Sequence, residues 1–381
     1  MNTIIIRAAL LSLATCTPLL AAPPLPAEHL TITTLAPNTA HRIYVVDEAF
    51  LNEIDSRVHI FDGDTYRRLG QIDAGFNPGF NLSPDGKTSI VGTTYFSRGS
   101  RGTRTDVVEF TDNSTLKVTH EIVLPSKRAM TLPTYFNLGF SSDSRFVYVS
   151  YVTPAASFGV LDPAKNTVID EIDTAGCVLV IASGPNRVSS ICENGKLLTV
   201  TLDAQGHEAS RAFSDAFFDA DRDPIFVQGV PMTNGYAFIS FLGDVHEVDF
   251  SGAAPVIHEP WSLVGAAEKG VWRPGGTQMG ALHRHMNRLY VAMHRGGEGT
   301  HKDGGTEIWV FDAANHQRIA RWPVAAHKLS HVLAVQVSQD DAPVLFAATD
   351  TSDVAVFDAL TGQLRHVEKQ LGQTPWLILN P

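Results

Sequence analysis

Arg57-Val58-His59-Ile60-Phe61-Asp62-Gly63-Asp64 reads as a β-strand that stops at a turn. Val58 and Ile60 fall on one face and His59 and Phe61 on the other, because side chains alternate along a strand. Asp and Gly end it, since both tolerate left-handed backbone angles and an Asp carboxylate can accept hydrogen bonds from its own turn. The phrase returns as Asp106-Val107-Val108-Glu109-Phe110, Ser157-Phe158-Gly159-Val160-Leu161-Asp162 and Lys196-Leu197-Leu198-Thr199-Val200. It returns again as Asp244-Val245-His246-Glu247-Val248-Asp249, Glu307-Ile308-Trp309-Val310-Phe311-Asp312 and Asp353-Val354-Ala355-Val356-Phe357-Asp358. The copies stand about 49 residues apart, a period in the range of propeller blades.

Each copy follows another apolar strand, from Arg42-Ile43-Tyr44-Val45-Val46 in the first unit to Val344-Leu345-Phe346-Ala347-Ala348 in the last. Before six of those strands lies one more short apolar run, at residues 76–82, 134–140, 177–182, 224–230, 276–282 and 331–337. The missing counterpart of the first unit is Pro375-Trp376-Leu377-Ile378-Leu379, at the far end of the sequence. A chain that begins on a blade's second strand and ends on its first can pair its own ends, which removes an exposed sheet edge. The expected fold is all-β: a seven-bladed β-propeller over residues 41–381, its ring closed by the C-terminal strand pairing into the first blade. A β-sandwich or a parallel β-helix also has alternating strands, but neither calls for seven four-strand units at this period.

Residues 1–22 read as a secretory signal: Arg7, then an apolar run from Ala8 to Leu20, then small residues Ala21-Ala22. Residues 23–40 form an N-terminal segment before the propeller. The expected location is therefore the periplasm. No later apolar run is long enough to span a bilayer, so no membrane role is expected. Removing the signal takes one base and no acid, so 29 basic residues become 28 against 40 acidic ones, a net charge of −12. Such a chain repels phosphate backbones and is not expected to bind nucleic acid. Of three cysteines, Cys177 and Cys192 remain after processing. They sit on consecutive strands around the Gly184-Pro185-Asn186 turn, and in an exported protein the pair is expected as a disulfide. A metal or redox pair is the alternative, without C-x-x-C spacing or a nearby histidine to support it.

The sequence offers no catalytic site of its own. It has no G-x-S-x-G elbow, no P-loop and no G-x-G-x-x-G opening a helix. His283, His285, His294 and His301 cluster in sequence, but a metal site needs converging ligands, and histidines beside arginine at strand turns are ordinary loop hydrogen-bonders. No catalytic, cofactor-binding or metal-ligating residue is therefore expected. Two stretches look like recognition surfaces. One is the loop Tyr95 to Arg104, with Tyr95, Phe96, Arg98, Arg101 and Arg104 as candidate interface residues. The other is Asp47-Glu48-Ala49-Phe50-Leu51-Asn52-Glu53, which presents Phe50 and Leu51.

At these loops the chain resembles the heavy (large) subunit of quinoprotein amine dehydrogenases. The matching pieces include Arg42 to Asp47, Asp55-Ser56-Arg57-Val58, Ser97-Arg98 to Asp106, Pro154-Ala155, the Cys177/Cys192 pair, Trp272-Arg273-Pro274-Gly275-Gly276 and Gly299-Thr300-His301-Lys302. Thr93-Thr94-Tyr95, Asp223-Pro224-Ile225-Phe226, Pro260-Trp261-Ser262-Leu263 and Met293-His294 look more like the aromatic (aralkyl) amine branch than the methylamine branch. The resemblance implies a periplasmic α2β2 enzyme that oxidatively deaminates primary amines to aldehyde and ammonia. The cofactor, tryptophan tryptophylquinone, would be carried by a separate small (light) subunit and not by this chain. Electrons would leave to a blue-copper protein of azurin or amicyanin type. In the methylamine-type subunit the loop matching Asp47 to Asp55 presents a Phe that narrows the substrate channel. The match puts Leu51 at that gate, with Phe50 just before it. The rival readings are a stand-alone exported propeller acting as a binding module and a lactonase-like propeller hydrolase.

Overall fold

A computed structural model describes residues 33–130 and 133–381. The expected signal segment, residues 1–22, and the first part of the segment 23–40 lie outside the described residues. The unit Leu35–Pro381 is built from antiparallel strands, with short 3-10 turns at Glu53–Asp55 and Val324–His327.

The strands fall into groups built on four antiparallel strands, which pair in chain order except in the first group, and two groups carry a fifth short strand. Arg42–Asp47 pairs with Ser56–Asp62, which pairs with the sixteen-residue strand Arg67–Leu82. That long strand serves twice. Its N-terminal half ends the first group, and its C-terminal half pairs with Thr88–Phe96 to begin the second. The run 76–82, expected as a strand of its own, is the second half of this continuous strand, so seven strands share a sheet. Pro375–Leu379 lies on the other side of Arg42–Asp47, with Tyr44 opposite Leu379 and Val46 opposite Leu377. The C-terminal strand thus supplies the first strand of the first group.

The repeated phrase explains its own geometry. In the first copy Asp62 Oδ1 accepts the backbone amides of Asp64 and Thr65 at 2.8 and 3.2 Å. Asp112, Asp162, Asp312 and Asp358 cap the amides two and three residues on in the same way. The left-handed residue is neither the Asp nor the Gly next to it, as the sequence reading supposed. It is the fourth residue after the Asp: Tyr66, Leu116, Asn166 and His316 have φ of 55–56°, and Gly362 has φ 75°. The carboxylate replaces the amides' water partners, which lets even Tyr and Leu take a backbone conformation that costs about 1 kcal/mol or more.

Each central strand is buried on both faces, as in Arg42–Asp47 and Val344–Thr349, because the sheets pack face to face. The apolar clusters accordingly straddle neighbouring groups: Ile43, Val45 and Phe61 of the first group pack with Phe346, Val354 and Val356 of the last. The fifth group is the least regular. Residues 224–230 were expected as its first strand, but only Val230–Pro231 is paired, with one isolated bridge from Ile225 to Ser240. Pro224 and Pro231 carry no amide hydrogen, and Gly229 between them adds no side chain to pack, so the ladder cannot extend.

Where the first strands converge, side-chain amides act as backbone substitutes. Gln278 accepts the amide of Ile378 at 2.7 Å and donates to its carbonyl at 3.0 Å. Thr277 Oγ1 donates to Trp376 O at 2.6 Å. These bonds join the sixth group to the C-terminal strand, so the chain's end is fixed from two sides.

Candidate functional site

The loop 48–55 follows the first central strand, and Asp47 fixes where it goes. Asp47 Oδ1 accepts the amides of Ala49 at 3.2 Å and Thr374 at 2.6 Å, and Oδ2 accepts Gln373 N at 2.9 Å and His59 Nε2 at 3.3 Å. Burial alone would raise this carboxyl, but the His59 bond and the backbone amides outweigh it and hold its pKa below the usual value. Gly372 makes the approach possible: its φ is 102°, and a Cβ there would lie 2.5 Å from Asp47 Oδ2. The loop is therefore clamped onto the segment that leads into Pro375–Leu379.

That clamp places Phe50 edge-on to Trp376, with ring centroids 5.0 Å apart. Trp376 is anchored in turn by its indole N–H, which donates to Pro133 O at 3.0 Å. Beside them is a mostly apolar pocket of about 170 Å³, lined by Trp376, Ile225, Phe226, Val227, Phe241 and His301 among others. His301 stacks on Phe241 at 4.1 Å, and burial lowers its pKa, so it presents a neutral ring. Leu51 projects away with 94% of its surface exposed, while Phe50 is 36% exposed. Ile54, Val227 and Leu242 are also exposed around this end of the molecule.

The second expected surface is more structured than its sequence suggests. Strands extend through Phe96 and resume at Arg104, leaving residues 97–103 as the turn. Tyr95 donates to Glu109 Oε1 at 2.8 Å, and Phe96 meets Phe76 edge-on at 5.8 Å. Arg104 forks onto the fully buried Asp106 at 2.7 and 2.6 Å. Asp106 also accepts the hydroxyl of Thr94 and the amide of Arg128. Arg98 and Arg101 remain at the surface of the turn.

The four histidines are not drawn together as ligands. His283 Nε2 is hydrogen-bonded to Asp340 O at 2.9 Å and His283 Nδ1 accepts Met286 N at 3.2 Å, so both ring nitrogens are engaged with the backbone. His294 is hydrogen-bonded to Thr300 at 3.0 Å. Among the described residues no three His, Cys, Asp or Glu side chains are grouped to hold a metal ion. Cys177 and Cys192 are joined in a disulfide, directly opposite each other on adjacent strands.

Sequence reasoning missed Glu48 and Arg128. Glu48 belongs to a stretch read as an exposed loop, yet it is 0% exposed, and neither carboxylate oxygen has a hydrogen-bond partner among the described residues. Arg128 is buried nearby. Its guanidinium donates to the carbonyls of Asn77, Ala129 and Phe76 and to Thr94 Oγ1. Burial raises the Glu48 pKa well above the carboxylate range; Arg128 opposes this, and Glu53 and Asp47 add to it. A carboxyl raised in the folded state contributes stability that is full below its unfolded pKa and is lost as pH rises through the folded one. Glu48→Gln, permanently neutral, is therefore expected to melt like the native protein near pH 4.5 and several degrees higher at pH 8. If the variant melts lower at pH 8, Glu48 is ionised and Arg128 holds it.

A family model described as methylamine dehydrogenase heavy chain matches residues 39–380. The methylamine dehydrogenase heavy chain of Paracoccus versutus is 29% identical over 344 residues, covering 89% of this chain and 79% of that one. The heavy chain from Methylophilus methylotrophus is 26% identical over 344 residues, covering 88% and 82%. Among solved structures, the β-propeller domain of Cps50 (Swd1) from Myceliophteria thermophila superposes with a TM-score of 0.57 at 9% identity, covering 87% of this chain and 98% of that one. At that identity the likeness speaks only of the fold. With the family model spanning the strands from Arg42 to Leu379, the chain belongs to the methylamine dehydrogenase heavy-chain family.

Proposed function

We infer that this chain is the heavy subunit of an exported, periplasmic amine dehydrogenase that deaminates primary aralkylamines to aldehyde and ammonia. In this reading it is one seven-bladed propeller over residues 41–381, closed where Pro375–Leu379 meets Arg42–Asp47. Tryptophan tryptophylquinone belongs to a small light subunit, two of which join two heavy chains in an α2β2 assembly. A blue-copper protein of azurin or amicyanin type takes the electrons.

The observation that carries the reading is the apolar pocket walled by Trp376 and the exposed Val227, with Leu51, Ile54 and Leu242 exposed on the loops that carry Phe50 and Phe241. An exposed apolar rim around a preformed pocket suits both a docked protein and an aromatic ligand. Tyr95, Phe96, Arg98 and Arg101 extend the docking surface, with Arg104 bracing their turn from within. The quinone, when the light subunit is in place, supplies the two-electron acceptor that side chains lack. This chain's residues then narrow the amine's path, exclude water and bury its ring. Burial favours the larger ring by about 25 cal/mol per Å².

Leu51 is the gate in this proposal, because a branched aliphatic side chain can turn aside where a Phe ring would block. Leu51→Phe in the assembled enzyme is expected to raise KM for phenylethylamine severalfold while changing KM for methylamine little. Equal responses from both amines, or none from either, would remove Leu51 from the gate.

A further inference from the structure

We propose that the cavity at the opposite ends of the first strands is a binding site for a small oxyanion, a carboxylate or phosphate, held by Arg284, Tyr236 and Tyr135. This cavity encloses about 220 Å³. Its wall comes from strand groups far apart in sequence, with Asn81, Tyr135, Gln278, Gln336 and Ile378 all facing it. It shares no lining residue with the apolar pocket at Trp376.

The polar groups of the wall fall into two sets. The amides are engaged with the backbone. Asn81 donates to Tyr135 O and Leu138 O, both at 3.2 Å, and accepts Leu82 N at 2.9 Å. Gln336 donates to Ile378 O and accepts Val337 N, and Gln339 donates to Leu282 O and accepts Arg284 N. With Gln278 on Ile378, these side chains tie strands together and have little left to offer a ligand.

The second set has hydrogen bonds left to make. The Arg284 guanidinium and the hydroxyls of Tyr135 and Tyr236 make no hydrogen bond or ion pair with a described residue, although all three line the cavity. Burial lowers the Arg284 pKa, with only Tyr236 acting against it and no carboxylate. Burial also pushes Tyr236 up to about 12, so its hydroxyl stays a donor. Glu247 and Asp249 line a smaller pocket of about 140 Å³ that Arg284 also borders. They are turned to other partners: Glu247 accepts Trp261 Nε1 at 2.9 Å and Asp249 accepts Ser251 N at 2.6 Å. Pro381 borders the cavity as well and makes no ion pair with Arg284.

A half-buried guanidinium without a counter-charge is costly, and an arriving anion offsets that cost. Its planar fork matches two oxygens of one carboxylate or phosphate, and the two phenols can donate to the remaining lone pairs. The available volume limits the ligand to a few heavy atoms beyond the anionic head. A cation or a neutral sugar would leave Arg284 as unpaired as before.

The test uses the full-length mature protein in its native assembly, with phosphate and succinate titrated separately at constant ionic strength by calorimetry. Saturable binding of either is expected, and which one binds identifies the class. Arg284→Gln is expected to weaken that binding tenfold or more, Arg284→Lys to restore part of it, and Tyr236→Phe to weaken it severalfold. Amine turnover is expected to be the same in all variants, so the outcome is independent of the amine dehydrogenase reading. Two results would overturn the site: neither anion saturating the native protein, or both Arg284→Gln and Tyr236→Phe binding as the native protein does. Should Arg284→Gln fail to fold, unchanged affinity in Tyr236→Phe alone would be enough.

Discussion

Purified without any partner, the mature chain is expected to fold, to be colourless, and to give no amine-dependent reduction of an artificial dye. Oxidising an amine to an aldehyde moves two electrons, and ordinary side chains cannot accept them. The pocket at Trp376 offers aromatic walls, the amide of Gln228, Thr277, Lys302 and a neutral His301. None of these is an electron acceptor. Three of the five indoles serve structural hydrogen bonds: Trp376 donates to Pro133 O, Trp261 to Glu247 and Trp309 to Glu307. Loss of activity is expected to be complete rather than graded, and co-expression with the light subunit from the native host is expected to restore it. The check is a dye-linked assay beside a visible absorbance scan on the homogeneous single chain. Amine-dependent dye reduction by that chain would contradict the division of labour proposed for the two subunits.

Much of this architecture was legible because the sequence repeats its phrase where the backbone repeats its geometry. Asp62 and its counterparts mark the turn after each third strand, and the displaced run at Pro375 announces the pairing with Arg42–Asp47. What could not be read was which loops meet. Asp47 and Gln373 are bonded across 326 residues, and Trp376 reaches Pro133 across 243. Those contacts depend on the angle between strand groups, on which local pattern is silent. Composition misled where burial reversed a residue's usual place. Glu48 and Arg104 look like surface charges in a loop, yet one is buried without a hydrogen-bond partner among the described residues and the other is bound to a buried carboxylate. Phe50 and Leu51 are adjacent in sequence and differ in setting, because the clamp at Asp47 turns one towards Trp376 and leaves the other in solvent.

Loss of the Cys177–Cys192 bridge is expected to lower the stability of the mature chain by about 2–5 kcal/mol. The bridge closes a separation of 15 residues, for which chain entropy alone gives roughly 3 kcal/mol. Local structure points to the same range. The strand Cys177–Gly184 is irregular just after the cysteine: its register with Arg187–Cys192 shifts between Val178 and Ile181, and Leu179 has φ 72°. A Leu in that conformation is disfavoured, so the ladder is weakest where the disulfide holds it. Ser190 Oγ donates to Leu179 O at 2.8 Å and Glu193 N to Gly176 O at 3.0 Å, local ties that would remain without the bridge. Both sulfurs lie in an apolar cluster with Phe146, Tyr148, Phe158, Val188 and Leu198. Serine would add buried hydroxyls to the lost cross-link, so the double alanine variant is the cleaner measurement. Cys177→Ala/Cys192→Ala is expected to shift the urea midpoint down, and reductant is expected to shift the native protein likewise while leaving the variant unchanged. If reductant moves neither protein, or if mass spectrometry of the exported chain finds two free thiols, the bridge is not what holds this strand.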